Sequence, residues 1–215
     1  MRRWLPRVPL SFLVTLVTTL IVLPCRFGAN AAELEGVQLP NTVQMNGKTL
    51  YLNGFGRRTY PILGIHIYIA GLYLEHLSTN PDEIIQSPEV KLLTVRFERS
   101  VSADDARNAW RKNLERGCTA PCRLDPEDVE RFLSQVPAMR AGDIFHLLFT
   151  RNAVTVTVNG QQIGTISRQQ FAEAMLGSFL GPNTDLPDLR QALLTGRVMT
   201  VTQSFASQSR SDGRQ

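Results

Sequence analysis

Two adjacent guanidinium groups and a phenol are the side chains of this sequence best suited to ligand chemistry. Arg57 and Arg58 follow Gly54-Phe55-Gly56, and an apolar run from Ile65 to Leu74 carries His66 and Tyr68. Neighbouring side chains on a strand point to opposite faces, so one arginine can enter a cavity while the other meets solvent. By the same alternation His66, Tyr68, Ala70 and Leu72 share one face of the second run, and Ile65, Ile67 and Ile69 the other. This pattern would present a cation and a neutral donor to the acidic end of a largely apolar small molecule. A buried arginine needs an anion or acceptors, because an unpaired buried charge is very costly. A structural ion pair, to Glu75 or Asp143 for example, meets that need as well as a ligand does. Gly54-x-Gly56 lacks the third glycine and the following helix of a dinucleotide site, and reads as a turn.

Other chemistry is missing. The sequence holds no Gly-x-Ser-x-Gly, no His-Glu-x-x-His, no phosphate-cradling glycine loop ending in lysine and no haem attachment motif. Its three histidines, His66, His76 and His146, are far apart and read as lone strand or strand-end residues, although folding could bring His66 and His146 together. No metal site and no cofactor is expected. Cys118 and Cys122, in Gly-Cys-Thr-Ala-Pro-Cys-Arg, read as a small disulfide loop between two helices if the chain is exported. The alternative is half of a metal or redox site, for which no further cysteine or clustered histidine is available.

Export is the expectation from residues 1–31. Arg2, Arg3 and Arg7 precede an apolar run between Pro9 and Pro24, and Ala29-Asn30-Ala31 offers small residues for cleavage after Ala31. The run is short of the ~20 residues of a spanning helix, so no membrane span is expected after cleavage; retention as an anchor is the alternative. Cys25 follows proline and reads as a cysteine lost with the signal. Arg2, Arg3, Arg7 and Arg26 account for the whole net charge of +4, and no acid precedes Glu33. The mature chain is therefore near neutral, which argues against a nucleic-acid partner. It is long enough for one domain with a real core, expected over residues 34–203, followed by a polar, disordered tail at 204–215. The sequence does not fix the oligomeric state.

Hairpin signals stand at Asn46-Gly47, between Thr42–Met45 and Lys48–Asn53, and at Asn159-Gly160, between Val154–Val158 and Gln161–Ile166. Residues 57–63 and 64–75, Leu92–Glu98 and Asp143–Phe149 add further strands. Asn80-Pro81 opens a short helix, Ser102 caps a second and Asp125-Pro126 a third. The second has an apolar stripe at Ala103, Ala106, Ala109, Trp110 and Leu114, and Gly117 ends it. Ser167 is expected to cap a fourth, carrying Phe171, Ala174, Met175 and Phe179, with a short helix over Leu186–Leu194 after it. The order predicts an α+β fold, an antiparallel sheet covered on one side by helices.

Four stretches give a resemblance. They are Glu35-Gly36-Val37-Gln38-Leu39-Pro40, Leu52-Asn53-Gly54-Phe55-Gly56-Arg57-Arg58, Ala70-Gly71-Leu72-Tyr73-Leu74-Glu75, and the segment from Phe171 to Gly181. In order and spacing over residues 34–195 they resemble a chalcone isomerase-like domain. The resemblance implies an open-faced β-sandwich, a large antiparallel sheet under a layer of helices with a ligand cleft between. That family includes plant isomerases that close chalcones, non-catalytic fatty-acid-binding relatives and exported bacterial proteins; a single domain behind a signal peptide is most similar to the last. The family's cleft arginine falls on Arg58, leaving Arg57 as the alternative inward-facing cation. Tyr68 is similar to the tyrosine of the fatty-acid binders. The isomerases' catalytic tyrosine falls near Ser102, and their lysine and asparagine near Asp105 and Ala109. A late cleft serine or threonine falls on Ser178.

The anion-holding half of such a site is thus expected and the half that guides ring closure is replaced. Ser102 has a sufficient role as a helix cap. The expectation is a non-catalytic exported, periplasmic protein that binds an apolar acidic small molecule such as a fatty acid. The alternatives are an intramolecular lyase acting on a chalcone-like enone, and a structural or interaction module with a filled cleft.

Overall fold

The computed structural model describes residues 31–34, 36–60 and 63–196. The expected leader at 1–31, apart from Ala31, lies outside the described residues, as do Glu35 of the first matched stretch, residues 197–203 of the expected domain and the expected tail at 204–215. The strands begin with β1 (Ala31–Leu34), β2 (Val37–Pro40), β3 (Thr42–Met45), β4 (Lys48–Tyr60) and β5 (Ile65–Leu74). Then follow α1 (Pro81–Gln86), β6 (Lys91–Phe97), α2 (Ala103–Gly117) and α3 (Pro126–Gln135). The chain continues through β7 (Ile144–Thr150), β8 (Ala153–Val158), β9 (Gln161–Ile166), α4 (Gln169–Leu180) and α5 (Pro187–Leu193).

Strands β3 to β9 form one seven-stranded antiparallel sheet in which neighbours in sequence are neighbours in space. Asn46 and Gly47 take φ of 51° and 73°, and Asn159 and Gly160 take 50° and 80°. Two successive left-handed residues match the twist of the strands they join, which is why these dipeptides fix both hairpins. Asn80, Ser102 and Asp125 cap α1, α2 and α3 with their side-chain oxygens. Ser167 does not cap α4: the N-cap is Arg168, with no side-chain hydrogen bond.

The two faces of the sheet are buried differently. On one, Tyr68, Ala70, Leu72, Leu93, Val95, Phe145 and Leu147 pack with the helices. Every residue of α4 from Phe171 to Leu180 except Glu173 is buried, so this helix is the centre of the layer and α2 lies beside it. The other face is not left bare. Leu50, Leu52, Ile69, Tyr73 and Leu92 pack under the β1–β2 hairpin through Ala32 and Leu39.

Two irregularities in the β4–β5 ladder shape the site. Leu52 pairs with Tyr73 and Gly54 with Leu72, leaving Asn53 as the extra residue of a bulge; Arg58 pairs with Tyr68 and Thr59 with His66, leaving Ile67 as another. The first bulge and the glycines after it receive α5. A Cβ on Gly54 would stand 2.7 Å from the Leu193 carbonyl, and one on Gly56 2.6 Å from the Ala192 Cβ. Gly54-Phe55-Gly56 is therefore mid-strand, a notch for a helix rather than the turn its glycines suggest. The buried Asn53 amide nitrogen donates to the carbonyls of Ser78 and Leu193, both at 2.9 Å, and its oxygen accepts from the Ser78 N–H at 2.9 Å. Cys118 and Cys122 form a disulfide at the end of α2.

Candidate functional site

Arg58 and Tyr68 are direct partners across the β4–β5 ladder, on the helix-facing side. The Arg58 guanidinium carbon lies 6.0 Å from the centre of the Tyr68 ring, at the limit of a cation–π contact. Arg58 is half-buried and forms no ion pair with a described residue. Burial raises the Tyr68 hydroxyl above its ordinary value. The nearby Arg58 pulls it down less strongly, and Asp185 adds a small push upward. Tyr68 is therefore a neutral donor over the whole physiological range.

Both side chains line a cleft of about 400 Å³ between the sheet and α2. That volume is within the ordinary range of small-molecule sites. The sheet contributes Ile67, Val95, Phe97 and Phe145 to its walls, α2 contributes Ala106, Ala109 and Trp110, and α4 contributes Phe179. Phe97 meets Tyr68 edge-on at 5.8 Å. Trp110 is surrounded by Phe132 at 5.3 Å, Phe145 at 5.8 Å and Phe179 at 5.9 Å, which fixes the indole as a rigid floor. The polar groups in this lining are few: Arg58, Tyr60, Tyr68, Asp105 and Asn113.

Arg57 belongs elsewhere. It binds Glu98 in a two-pronged pair, Nε to Oε2 at 2.8 Å and Nη2 to Oε1 at 2.9 Å, with the side chains only 11% and 20% exposed. The pairing is neither of those expected for a structural arginine. Glu75 instead takes Lys48 at 3.0 Å, and Asp143 takes the Asn159 amide and the Arg140 N–H. The alternation of faces thus separates the two arginines as anticipated, one into the cleft and one into an ion pair.

Ser102 does not line the cleft. Its hydroxyl donates to the Asp105 carboxylate at 2.6 Å and accepts from the Asp105 N–H at 3.1 Å, closing the first turn of α2. Ser178 does not line it either. It is buried within α4 and donates to the Met175 carbonyl at 2.7 Å. Asp105 and Ala109 do line it. His66 faces Thr59 at 3.1 Å, and His146 sits between Thr94 and Thr157 on the central strands, so the two do not meet. Among the described residues no group of His, Cys, Asp and Glu is arranged to hold a metal, and no helix is long and apolar enough to cross a membrane.

Simple alternation missed Ile67, because the bulge turns it to the same side as Tyr68. It also missed Asn113, whose side-chain amide lines the cleft with no hydrogen bond to a described residue. A signal for Asn113 was present in the helical spacing of Ala106, Ala109, Trp110 and Asn113 along one face of α2.

The model of the chalcone isomerase-like family matches residues 31–195. No curated protein matches the chain. Among solved structures, the crystal structure of a fatty-acid binding protein of Arabidopsis thaliana is similar at a TM-score of 0.65 and 15% identity, over 77% of this chain and 96% of that one. At such identity the likeness is one of fold.

Proposed function

Because this chain belongs to the chalcone isomerase-like family, we propose that its cleft is a binding site for an apolar small molecule with an acidic head, such as a fatty acid. The observation that carries this reading is Arg58, a cation without an ion pair to a described residue, half-buried in a largely apolar hollow. A carboxylate there would accept two parallel N–H bonds from the guanidinium. Tyr68 would add a neutral hydroxyl, and the Phe97, Trp110, Phe145 and Phe179 rings would hold the tail. The similar fold of a fatty-acid binding protein supports the ligand class.

The reading is of binding rather than catalysis. Ser102 and Asp105 satisfy each other at the start of α2, and Ala109 offers only a methyl group. The polar groups at the start of α2 that would guide a ring closure are thus engaged or absent, and groups placed to stabilise developing charge are what separate catalysis from binding. The leader within residues 1–31 and the disulfide support an exported, periplasmic setting. The test is to extract bound lipid from the protein purified natively and from its Arg58→Ala variant. Lipid in the first and little in the second is expected; equal lipid content in both would sink the reading.

A further inference from the structure

Four large apolar side chains are exposed among the described residues, and two of them, Tyr60 at 48% and Leu63 at 67%, flank the turn between β4 and β5. Tyr60 also lines the cleft, so this apolar tip is continuous with its mouth. The antiparallel register puts the tip at the same end of the sheet as Phe97 and Ile144. Three exposed arginines stand at that end. Arg96 precedes Phe97; Arg99 lies between Glu98, whose N–H reaches Ile67, and Val101, whose N–H reaches Met139. Arg140 opens a turn whose Gly142 N–H reaches the Phe97 carbonyl. None of the three forms an ion pair with a described residue.

The acids nearby are largely engaged. Glu98 holds Arg57, Asp143 holds Asn159 and the Arg140 N–H, Asp105 holds Ser102, and Asp104 lies 3.5 Å from Arg107. Only Glu98 and Asp104 face a cation directly; Asp143 and Asp105 keep their charge, and Asp143 is drawn toward Arg140, so Arg58, Arg96, Arg99 and Arg140 against these two acids leave a positive balance beside the apolar tip. Anionic lipid surfaces attract the first and admit the second.

We propose that this end docks on an anionic phospholipid bilayer, with Tyr60 and Leu63 entering the headgroup region and Arg96, Arg99 and Arg140 resting on it. The proposal rests on the cleft being a lipid site, and it gives the ligand a route. A fatty acid would pass from the bilayer into the cleft beneath Tyr60, carboxylate toward Arg58, without crossing bulk water.

The experiment is flotation of the protein, purified after export, with vesicles of phosphatidylcholine plus phosphatidylglycerol and with vesicles of phosphatidylcholine alone. Binding of soluble fatty acid is measured on the same samples. Partition to the anionic vesicles is expected, weakened by salt. Leu63→Asp should lower it about tenfold, and Arg99→Ala and Arg140→Ala about fivefold each. All three variants should bind soluble fatty acid as the wild type does. Wild-type failure on anionic vesicles at low salt, or equal partition of Leu63→Asp and wild type, would overturn the docking surface while leaving the cleft reading intact. So would a dimer in solution that Leu63→Asp dissolves without any vesicle binding. Failure of the wild type to bind soluble fatty acid would instead overturn the cleft reading on which the route depends.

Discussion

Arg57 and Arg58 are adjacent in the chain and opposite in role: one is fastened to Glu98 by two hydrogen bonds, and the other faces Tyr68 in the cleft with no ion pair to a described residue. Removing each should therefore damage a different property. Arg58→Met is expected to weaken binding of a fluorescent fatty acid by roughly ten- to a hundredfold, the worth of a hydrogen-bonded charge, with little change in the urea midpoint. Arg57→Met should leave affinity intact and cost about 1–3 kcal/mol of stability, since Glu98 loses its partner in a mostly buried place. A loss of affinity in Arg57→Met with none in Arg58→Met would reverse the assignment.

Tyr68→Phe separates the hydroxyl from the ring. Burial raises the phenol's pKa, so the wild type should bind with no tyrosine titration below pH 10, where Tyr68 stays protonated. The variant should keep the Phe97 edge contact and lose about 1 kcal/mol of binding, one neutral hydrogen bond. Affinity titrations of both proteins across the neutral and mildly alkaline range check this.

Lys91 predicts a pH dependence of folding. Its ammonium is buried at the start of β6 and donates to the Ser87 carbonyl at 2.5 Å and the Glu89 carbonyl at 3.1 Å. Burial lowers its pKa from 10.5 to about 8, against weaker opposing pulls from Glu89, Glu75 and Glu173. Between those values the unfolded chain binds more protons than the folded one, so stability contributed by this group rises with pH from about 8 toward 10.5. Denaturation of wild type and Lys91→Met at pH 7.5 and 9.5 should show the wild type gaining on the variant at the higher pH. Parallel stability profiles would refute it.

The Cys118–Cys122 loop is short. Closing so few residues should contribute about 2 kcal/mol at most on the chain-entropy account. The paired Cys118→Ser, Cys122→Ser protein should unfold at lower urea by that order and bind fatty acid unchanged, because the cleft is lined by residues 105 to 113 of α2, upstream of the loop.

Gly54→Ala tests the notch in β4. Its new methyl group would be pressed against the backbone of Ala192 and Leu193. A loss of about 2 kcal/mol or more is expected, as for overpacking in a core. Gly47, whose Cβ would meet open space but whose φ is 73°, should be less sensitive to alanine.

What the sequence disclosed was local. Asn46-Gly47 and Asn159-Gly160 encode their turns by tolerance of left-handed backbone, and Asn80, Ser102 and Asp125 encode helix starts by side-chain oxygens within three residues of the donors they accept from. Arg58 and Tyr68 were visible as a cation and a phenol of fixed strand parity. What stayed hidden depends on a second, distant segment. Nothing local to Ile67 says that its partner strand skips it, and nothing near Arg57 points to Glu98, 41 residues on. Glycines in a strand and glycines in a turn are the same letters; only the arrival of α5 distinguishes them. Arg168 in place of Ser167 as the N-cap shifts a boundary by one residue, the scale on which helix ends are set by packing rather than by propensity.

The Asn53–Leu193 hydrogen bond spans 140 residues. An early strand therefore keeps an unfilled seat until α5 has been made. A nascent chain on the ribosome cannot reach its finished form while α5 is still missing. A chain truncated before Pro187 should expose the Asn53 amide and the bared groove to protease, whereas one that carries α5 shields both.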